Sequence, residues 1–212
     1  MGRLTVCNLP GASYNTKKKN LFAQLNHLNK HSIQQVPWSA YPYKPTVQFS
    51  IAHNGDCIFL KYFVEEKSIR TVNTVINSAV WQDSCVEFFI SFDDKGYYNL
   101  EFNAIGTALA GFGKNKTDRQ LLPAENIGRI KYLSAIDSSP GGGNIHWELL
   151  LIIPGDIFMY HEPGSLRGKL CRANFYKCGD KLPEQHFISW SAIHSPEPDF
   201  HRPDFFGGLY FE

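Results

Sequence analysis

The chain has 212 residues, enough for one large domain with a substantial core or for one domain plus an arm. Its 21 basic and 20 acidic residues leave a net charge of +1, which gives no electrostatic reason to expect a nucleic acid partner. No apolar run approaches the roughly 20 residues that span a bilayer, so we expect no membrane partner.

The first 35 residues or so are expected to form an N-terminal arm. A basic run at Lys17–Lys19 is followed by apolar residues at helical spacing, namely Leu21, Phe22, Leu25 and Leu28. This spacing predicts a short helix that covers a sheet edge. The alternative, a nucleic-acid patch, is disfavoured because the basic run has only three residues. The remainder, residues 36–212, is predicted to be one domain.

Short segments with alternating apolar and polar residues recur through this domain. They begin near residues 47, 58, 86, 97, 109, 130, 147, 170, 187 and 208, and turn signals such as Asn54-Gly55 separate them. Aromatic content is high, with 16 Phe, 10 Tyr and 4 Trp, as is typical of β-rich proteins. The pattern predicts an all-β protein with an antiparallel, immunoglobulin-like β-sandwich.

The segment from Val80 to Thr107 predicts a hairpin with one apolar and one polar face. A five-residue connection would pair Phe92 with Tyr98 and Glu87 with Asn103. In that register the side chains of Glu87, Glu101 and Asn103 share the polar face, and Trp81 lies at its mouth. We therefore expect a polar site with an aromatic wall.

Motifs of common catalytic sites are absent from the sequence. No HExxH, GxSxG, Walker or GxGxxG motif occurs. Glu87 and Glu101 could serve as the carboxylate pair of a glycoside hydrolase, and this alternative stays open. The five cysteines are scattered without a CxxC spacing, which favours reduced, buried thiols over a disulfide framework or a zinc site.

Six segments in order resemble the family nine carbohydrate-binding modules, over about residues 36–212. They are WQDSCVE from Trp81, YYNLEFN from Tyr97, Trp147-Glu148 running into Ile153-Pro154, RANFY from Arg172, Ser189-Trp190 and HRPDFFG from His201. The resemblance implies a stand-alone, non-catalytic module with a DOMON-like β-sandwich, whose ligand is a mono- or oligosaccharide of xylan or cellulose type. It also implies a role in polysaccharide breakdown with a glycoside hydrolase partner.

Carried onto this sequence, the resemblance implies that Trp81 and Trp190 are two plates that clamp a sugar ring. It implies a hydroxyl-binding floor made of Glu87, Glu101, Asn103, Arg172 and Asn174. No cofactor is required, although members of the family often bind structural calcium, for which Asp83, Asp93 and Asp94 are candidate ligands.

The chemistry of these side chains suits a saccharide. Indole rings cover the apolar faces of a pyranose, while carboxylates, amides and a guanidinium bond its hydroxyl groups. Because water competes for each bond, we expect affinities of roughly micromolar to millimolar, or about −8 to −4 kcal/mol. The N-terminus lacks the apolar core of a signal peptide, which predicts a cytoplasmic protein, or a secreted one if a leader was removed.

Overall fold

The structure is a computed structural model that describes residues 2–93, 95–138, 143–161 and 164–212. Most of its regular structure is β, as the alternating segments predict. The strands are β1 Arg3–Asn8, β2 His31–Ser32, β3 Thr46–His53, β4 Cys57–Glu66, β5 Cys85–Asp93, β6 Gly96–Asn103, β7 Ala108–Gly113, β8 Gln120–Leu121, β9 Lys131–Ser138, β10 Ile145–Pro154, β11 Leu170–Cys178, β12 Phe187–Ser189 and β13 Gly207–Phe211.

Helices are few and short in the described residues. The α-helices are α1 Lys18–Gln24 and α2 Ala124–Ile127, and single 3₁₀ turns occur at Leu25–His27, Val80–Gln82, Gly155–Ile157 and Pro203–Phe205. None of these helices is both long and apolar enough to cross a membrane.

The strands form two layers that share β1. The first layer has the order β8-β7-β6-β5-β11-β13-β1, and the second has the order β1-β3-β4-β10-β9. Residues Arg3–Val6 pair in parallel with β13, and the next residues, Cys7 and Asn8, pair in parallel with β3. The other neighbours in the two layers are antiparallel, so the predicted antiparallel β-sandwich is confirmed apart from this parallel seam.

The space between the layers is filled by the apolar sides of the alternating strands. The ring of Phe175 stacks between Phe49 of the second layer, at 3.8 Å between centroids, and Phe88 of the first layer, at 5.0 Å. Each such buried side chain stabilises the fold by roughly 1.5–3 kcal/mol relative to exposure. Trp147 is also buried here, and its indole N–H donates to Glu66 at 2.6 Å.

The N-terminal 35 residues contribute more than an arm. β1 lies inside the sheet. The helix α1 was expected to cover a sheet edge, but it packs its apolar stripe on the outer face of β4 and β10. The fully buried ammonium of Lys61 fixes this contact, because it donates to the carbonyl of Phe22 and to Asn26 and lies 2.6 Å from the carboxylate of Glu148.

A separate cluster covers the outer face of the first layer. It contains Phe89 and Tyr176 from the strands and Phe200 and Phe206 from the C-terminal segment. The rings of Tyr176 and Phe200 stack at 4.2 Å with only 9° between their planes. The C-terminal segment is therefore held against the same sheet face that carries the predicted polar residues.

Candidate functional site

The register of the β5–β6 hairpin brings two carboxyl groups together. Glu87 pairs with Glu101, and Cys85 pairs with Asn103. The expected pairing of Glu87 with Asn103 is wrong by two residues, because the strands continue closer to the turn and Asp93 pairs with Gly96 after a bulge. A shift of two preserves the faces, so these side chains still share the outer face of the first layer.

A pocket of about 350 Å³ lies over this face. Its volume falls at the low end of the roughly 300–1,000 Å³ typical of small-molecule sites. The lining residues come from the strands, from the loop after β7, from the turn after β11 and from the C-terminal segment: Trp81, Glu87, Glu101, Lys116, Arg119, Cys178, Asp180, Phe187, Pro198, Asp199, Phe200 and His201.

The floor of the pocket holds the two carboxyl groups, each only 3% exposed. Burial raises the pKa of Glu101 to about 7, although the Arg119 guanidinium 3.7 Å away and the amide of Asn99 oppose the shift. Burial and the charge of Glu101 raise the pKa of Glu87 as well. Near neutral pH the pair therefore retains a proton, so it can offer a hydroxyl donor together with carboxylate acceptors.

A histidine at the pocket's edge orients the guanidinium beside this pair. Arg119 Nη1 lies 2.7 Å from His201 Nε2, and the hydroxyl of Tyr97 lies 2.8 Å from His201 Nδ1. Burial and the charge of Arg119 lower the pKa of His201 to about 3, so the imidazole is neutral. Its Nε2 therefore accepts from Arg119, and its Nδ1–H donates to Tyr97.

Trp81 forms an aromatic wall of the pocket. It lies in the 3₁₀ turn Val80–Gln82 that leads into β5, is half-buried, and packs against the outer cluster. Its carbonyl accepts from the N–H of Asp180 at 3.3 Å, which ties the turn to the segment after β11. The structure thus brings Trp81, Glu87 and Glu101 into one pocket, as expected.

Trp190 does not face this pocket. Its ring packs edge-on against Phe175 and Phe49, at centroid distances of 5.7 and 6.5 Å, so it lies on the inner side of the sheet. The expectation that its indole opposes that of Trp81 is therefore corrected. Alternation explains the placement: Ser189 pairs with Tyr176, whose side chain lies on the outer face, so the next residue points inward.

Two predicted floor residues are occupied by bonds to the protein. Asn103 donates to Asp83 and to the carbonyl of Asn73, and accepts from the N–H of Thr107. Asn174 bonds both the N–H and the C=O of Ser191. Both amides are buried and lie outside the pocket lining, so they hold the neighbouring segments in place.

Arg172 also lies apart from the carboxyl pair. Its exposed guanidinium donates to the carbonyls of Pro203 and Asp204, at 2.8 and 3.2 Å, beside a second cavity of about 200 Å³. The guanidinium that faces the carboxylates is instead that of Arg119. It comes from a polar loop without periodicity, so the sequence carried no signal for its position.

Two of the candidate calcium ligands lie beside nitrogen-bearing side chains. Asp83 is buried, 3.2 Å from Arg70 Nε, and Asp93 lies 3.1 Å from His161 Nε2, while Asp94 is outside the described residues. Calcium binding stays a prediction. In the part of the chain that the structure describes, the cysteine, histidine and acidic side chains close enough to share a metal are Cys85, Glu87 and Cys178.

Fold and pocket together define a class of protein, a carbohydrate-binding β-sandwich module. The profile of carbohydrate-binding family 9 matches residues 17–211, and the chain belongs to that family. Its members are non-catalytic, so this is a binding module and not a glycoside hydrolase.

Solved structures with the same fold include a crystal structure of a candidate carbohydrate-binding protein from Bacteroides uniformis, 41% identical, with a TM-score of 0.92 over 99% of both chains. A family 9 module from Caldicellulosiruptor kristjanssonii matches at 10% identity. Its glucose complex has a TM-score of 0.57 over 100% of this chain and 96% of that one. Its cellotriose complex has a TM-score of 0.55 over 100% and 94%. The search of curated proteins found no match.

Proposed function

We propose that the pocket between Trp81 and the carboxyl pair holds one sugar unit of a cellulose- or xylan-type saccharide. The observation that carries this proposal is the combination of a half-buried indole, two buried carboxyl groups and a guanidinium in one cavity. Trp81 covers an apolar face of the ring, while Glu87, Glu101 and Arg119 bond its hydroxyls.

The donor and acceptor inventory of the floor supports this assignment. The pair formed by Glu87 and Glu101 retains a proton, and Arg119, which lies 3.7 Å from Glu101, is oriented by His201, so the floor offers both donors and acceptors. The hydroxyl groups on the rim of a pyranose likewise both donate and accept. The related complexes with glucose and cellotriose support the choice of a glucose-type unit.

The remaining predicted residues act indirectly in this proposal. Asn174 fixes the segment at Ser191, Asn103 fixes the segment before β5, and Arg172 holds the turn at Pro203. Trp190 supports the sheet from the inner side in place of a second plate, and Phe187 and Phe200 supply further aromatic surface at the pocket. A role in polysaccharide breakdown beside a glycoside hydrolase extends the same proposal.

Titration calorimetry tests the proposal with glucose, xylose, cellobiose and xylo-oligosaccharides. We expect micromolar to millimolar binding, and Trp81→Ala should cost about 2 kcal/mol, or roughly 30-fold in affinity. Trp190→Phe is the matched control, because it changes a tryptophan outside the pocket and should leave affinity unchanged. Absence of heat from every sugar at millimolar concentration, with folded protein, would refute the assignment.

A further inference from the structure

A cluster of two thiols and a carboxyl group lies at the base of the pocket. Cys85 and Cys178 pair directly across β5 and β11, and Glu87 follows Cys85 on the same face. The Sγ of Cys178 lies 3.2 Å from Glu87 Oε1, and one ligand atom from each residue lies within 4.8 Å of the other two. All three side chains are buried, and all five cysteines of the chain are free thiols.

We propose that Cys85, Cys178 and Glu87, the thiol cluster, bind a thiophilic divalent metal ion of the zinc class. Two thiolates and a carboxylate suit Zn²⁺, which takes sulfur at about 2.3 Å and oxygen at about 2.0 Å. Such bonds place tetrahedral ligand atoms roughly 3.5–4 Å apart, close to the spacing of the cluster. Glu87 and Cys178 line the pocket, so a fourth ligand would approach from the pocket side.

The strands hold the ligands in place before metal arrives. Cys178 and Cys85 occupy opposite positions of one antiparallel ladder, and Glu87 lies opposite Tyr176 in the same ladder. Backbone hydrogen bonds therefore set the spacing of all three residues. Metal binding would displace to solvent the protons of both thiols and the proton that the carboxyl pair retains, so that two thiolates and the Glu87 carboxylate face the ion.

Cobalt is the most direct probe of this site. Reduced, chelator-treated full-length protein is titrated with Co²⁺ and then with Zn²⁺, while sulfur-to-cobalt charge-transfer absorption and bound metal per chain are measured. We expect one Co²⁺ per chain with charge-transfer bands that Zn²⁺ abolishes, and a higher melting temperature in the presence of Zn²⁺.

Variants assign the bands to individual residues. Cys85→Ser and Cys178→Ser should abolish them and weaken Zn²⁺ binding by more than the roughly 10–100-fold typical of losing an outer-shell partner. Cys171→Ser is the matched control, because Cys171 is a buried thiol on the inner face of β11 and should retain the bands. Circular dichroism checks that each variant is folded.

Two outcomes overturn the proposal. The first is the absence of charge-transfer bands in reduced wild-type protein at saturating Co²⁺. The second is bands that persist in both Cys85→Ser and Cys178→Ser. The first outcome is measured on wild-type protein, so it does not depend on whether the variants fold. It also does not depend on whether any sugar binds.

Discussion

The neutral imidazole of His201 predicts a specific loss of stability in acid. Burial and the Arg119 guanidinium lower the pKa of His201 to about 3, from 6.5 for an unperturbed histidine. Below pH 6.5 the unfolded chain therefore binds a proton that the folded protein excludes. The stability associated with this group is fully present above pH 6.5 and is lost as the pH falls toward 3.

The two pKa values set the size of this effect. At roughly 1.4 kcal/mol per pH unit, the difference between 6.5 and about 3 corresponds to about 4–5 kcal/mol. His201→Gln retains an acceptor for Arg119 but loses the hydrogen bond to Tyr97, which should cost about 1 kcal/mol at pH 8. Because the variant lacks the titrating group, it should become the more stable protein below about pH 5 to 6.

Urea unfolding followed by tryptophan fluorescence, from pH 8 to pH 4, measures this crossing. The exposed His146→Gln is the matched control and should follow the wild-type curve. A stability difference between wild type and His201→Gln that stays constant over this range would show that burial and the Arg119 guanidinium do not hold the imidazole neutral.

Three further substitutions test how the scaffold supports the pocket, each by urea unfolding. Asn174→Ala leaves the N–H and C=O of Ser191 without partners and should cost about 2–3 kcal/mol; a loss below 0.5 kcal/mol would contradict its anchoring role. Gly207→Ala places a methyl group 2.5 Å from the Trp190 ring and 2.6 Å from a backbone oxygen, so it should destabilise by roughly 1–3 kcal/mol, and a neutral effect would refute this packing. Lys61→Met removes the bonds that hold α1 and should cost about 1–3 kcal/mol while exposing the helix to limited proteolysis; Lys18→Met, on the exposed side of the same helix, should do neither.

The face of each strand residue could be predicted from the sequence, because side-chain alternation is a local property. This rule correctly placed Glu87 and Glu101 together and buried Phe88 and Phe175 between the layers. The predicted hairpin register is wrong by two residues. A shift of two leaves the alternation of side chains unchanged, so the sequence pattern could not reveal the bulge near the turn.

Positions set by long-range contacts could not be predicted in this way. Arg119 reaches the carboxyl pair only because the loop after β7 meets the C-terminal segment at His201. The resemblance implied that Trp190 faces a ligand opposite Trp81, yet Ser189 and Ser191 are buried and the indole packs inward. The amide of Asn174 lies on the predicted face and was expected to bind a ligand. It is instead hydrogen-bonded to the backbone of the neighbouring segment at Ser191.

The seam formed by β1 and β13 has a consequence for how the protein is made. Val6 of β1 pairs with Phe211 of β13, so β1 can complete its pairing only after β13, far along the chain, has been synthesised. Contacts this distant in sequence close slowly, because the intervening chain must first lose much of its freedom. During synthesis on the ribosome, residues Arg3–Val6 therefore lack their parallel partner and present an open strand edge to a chaperone or to another nascent chain until β13 emerges.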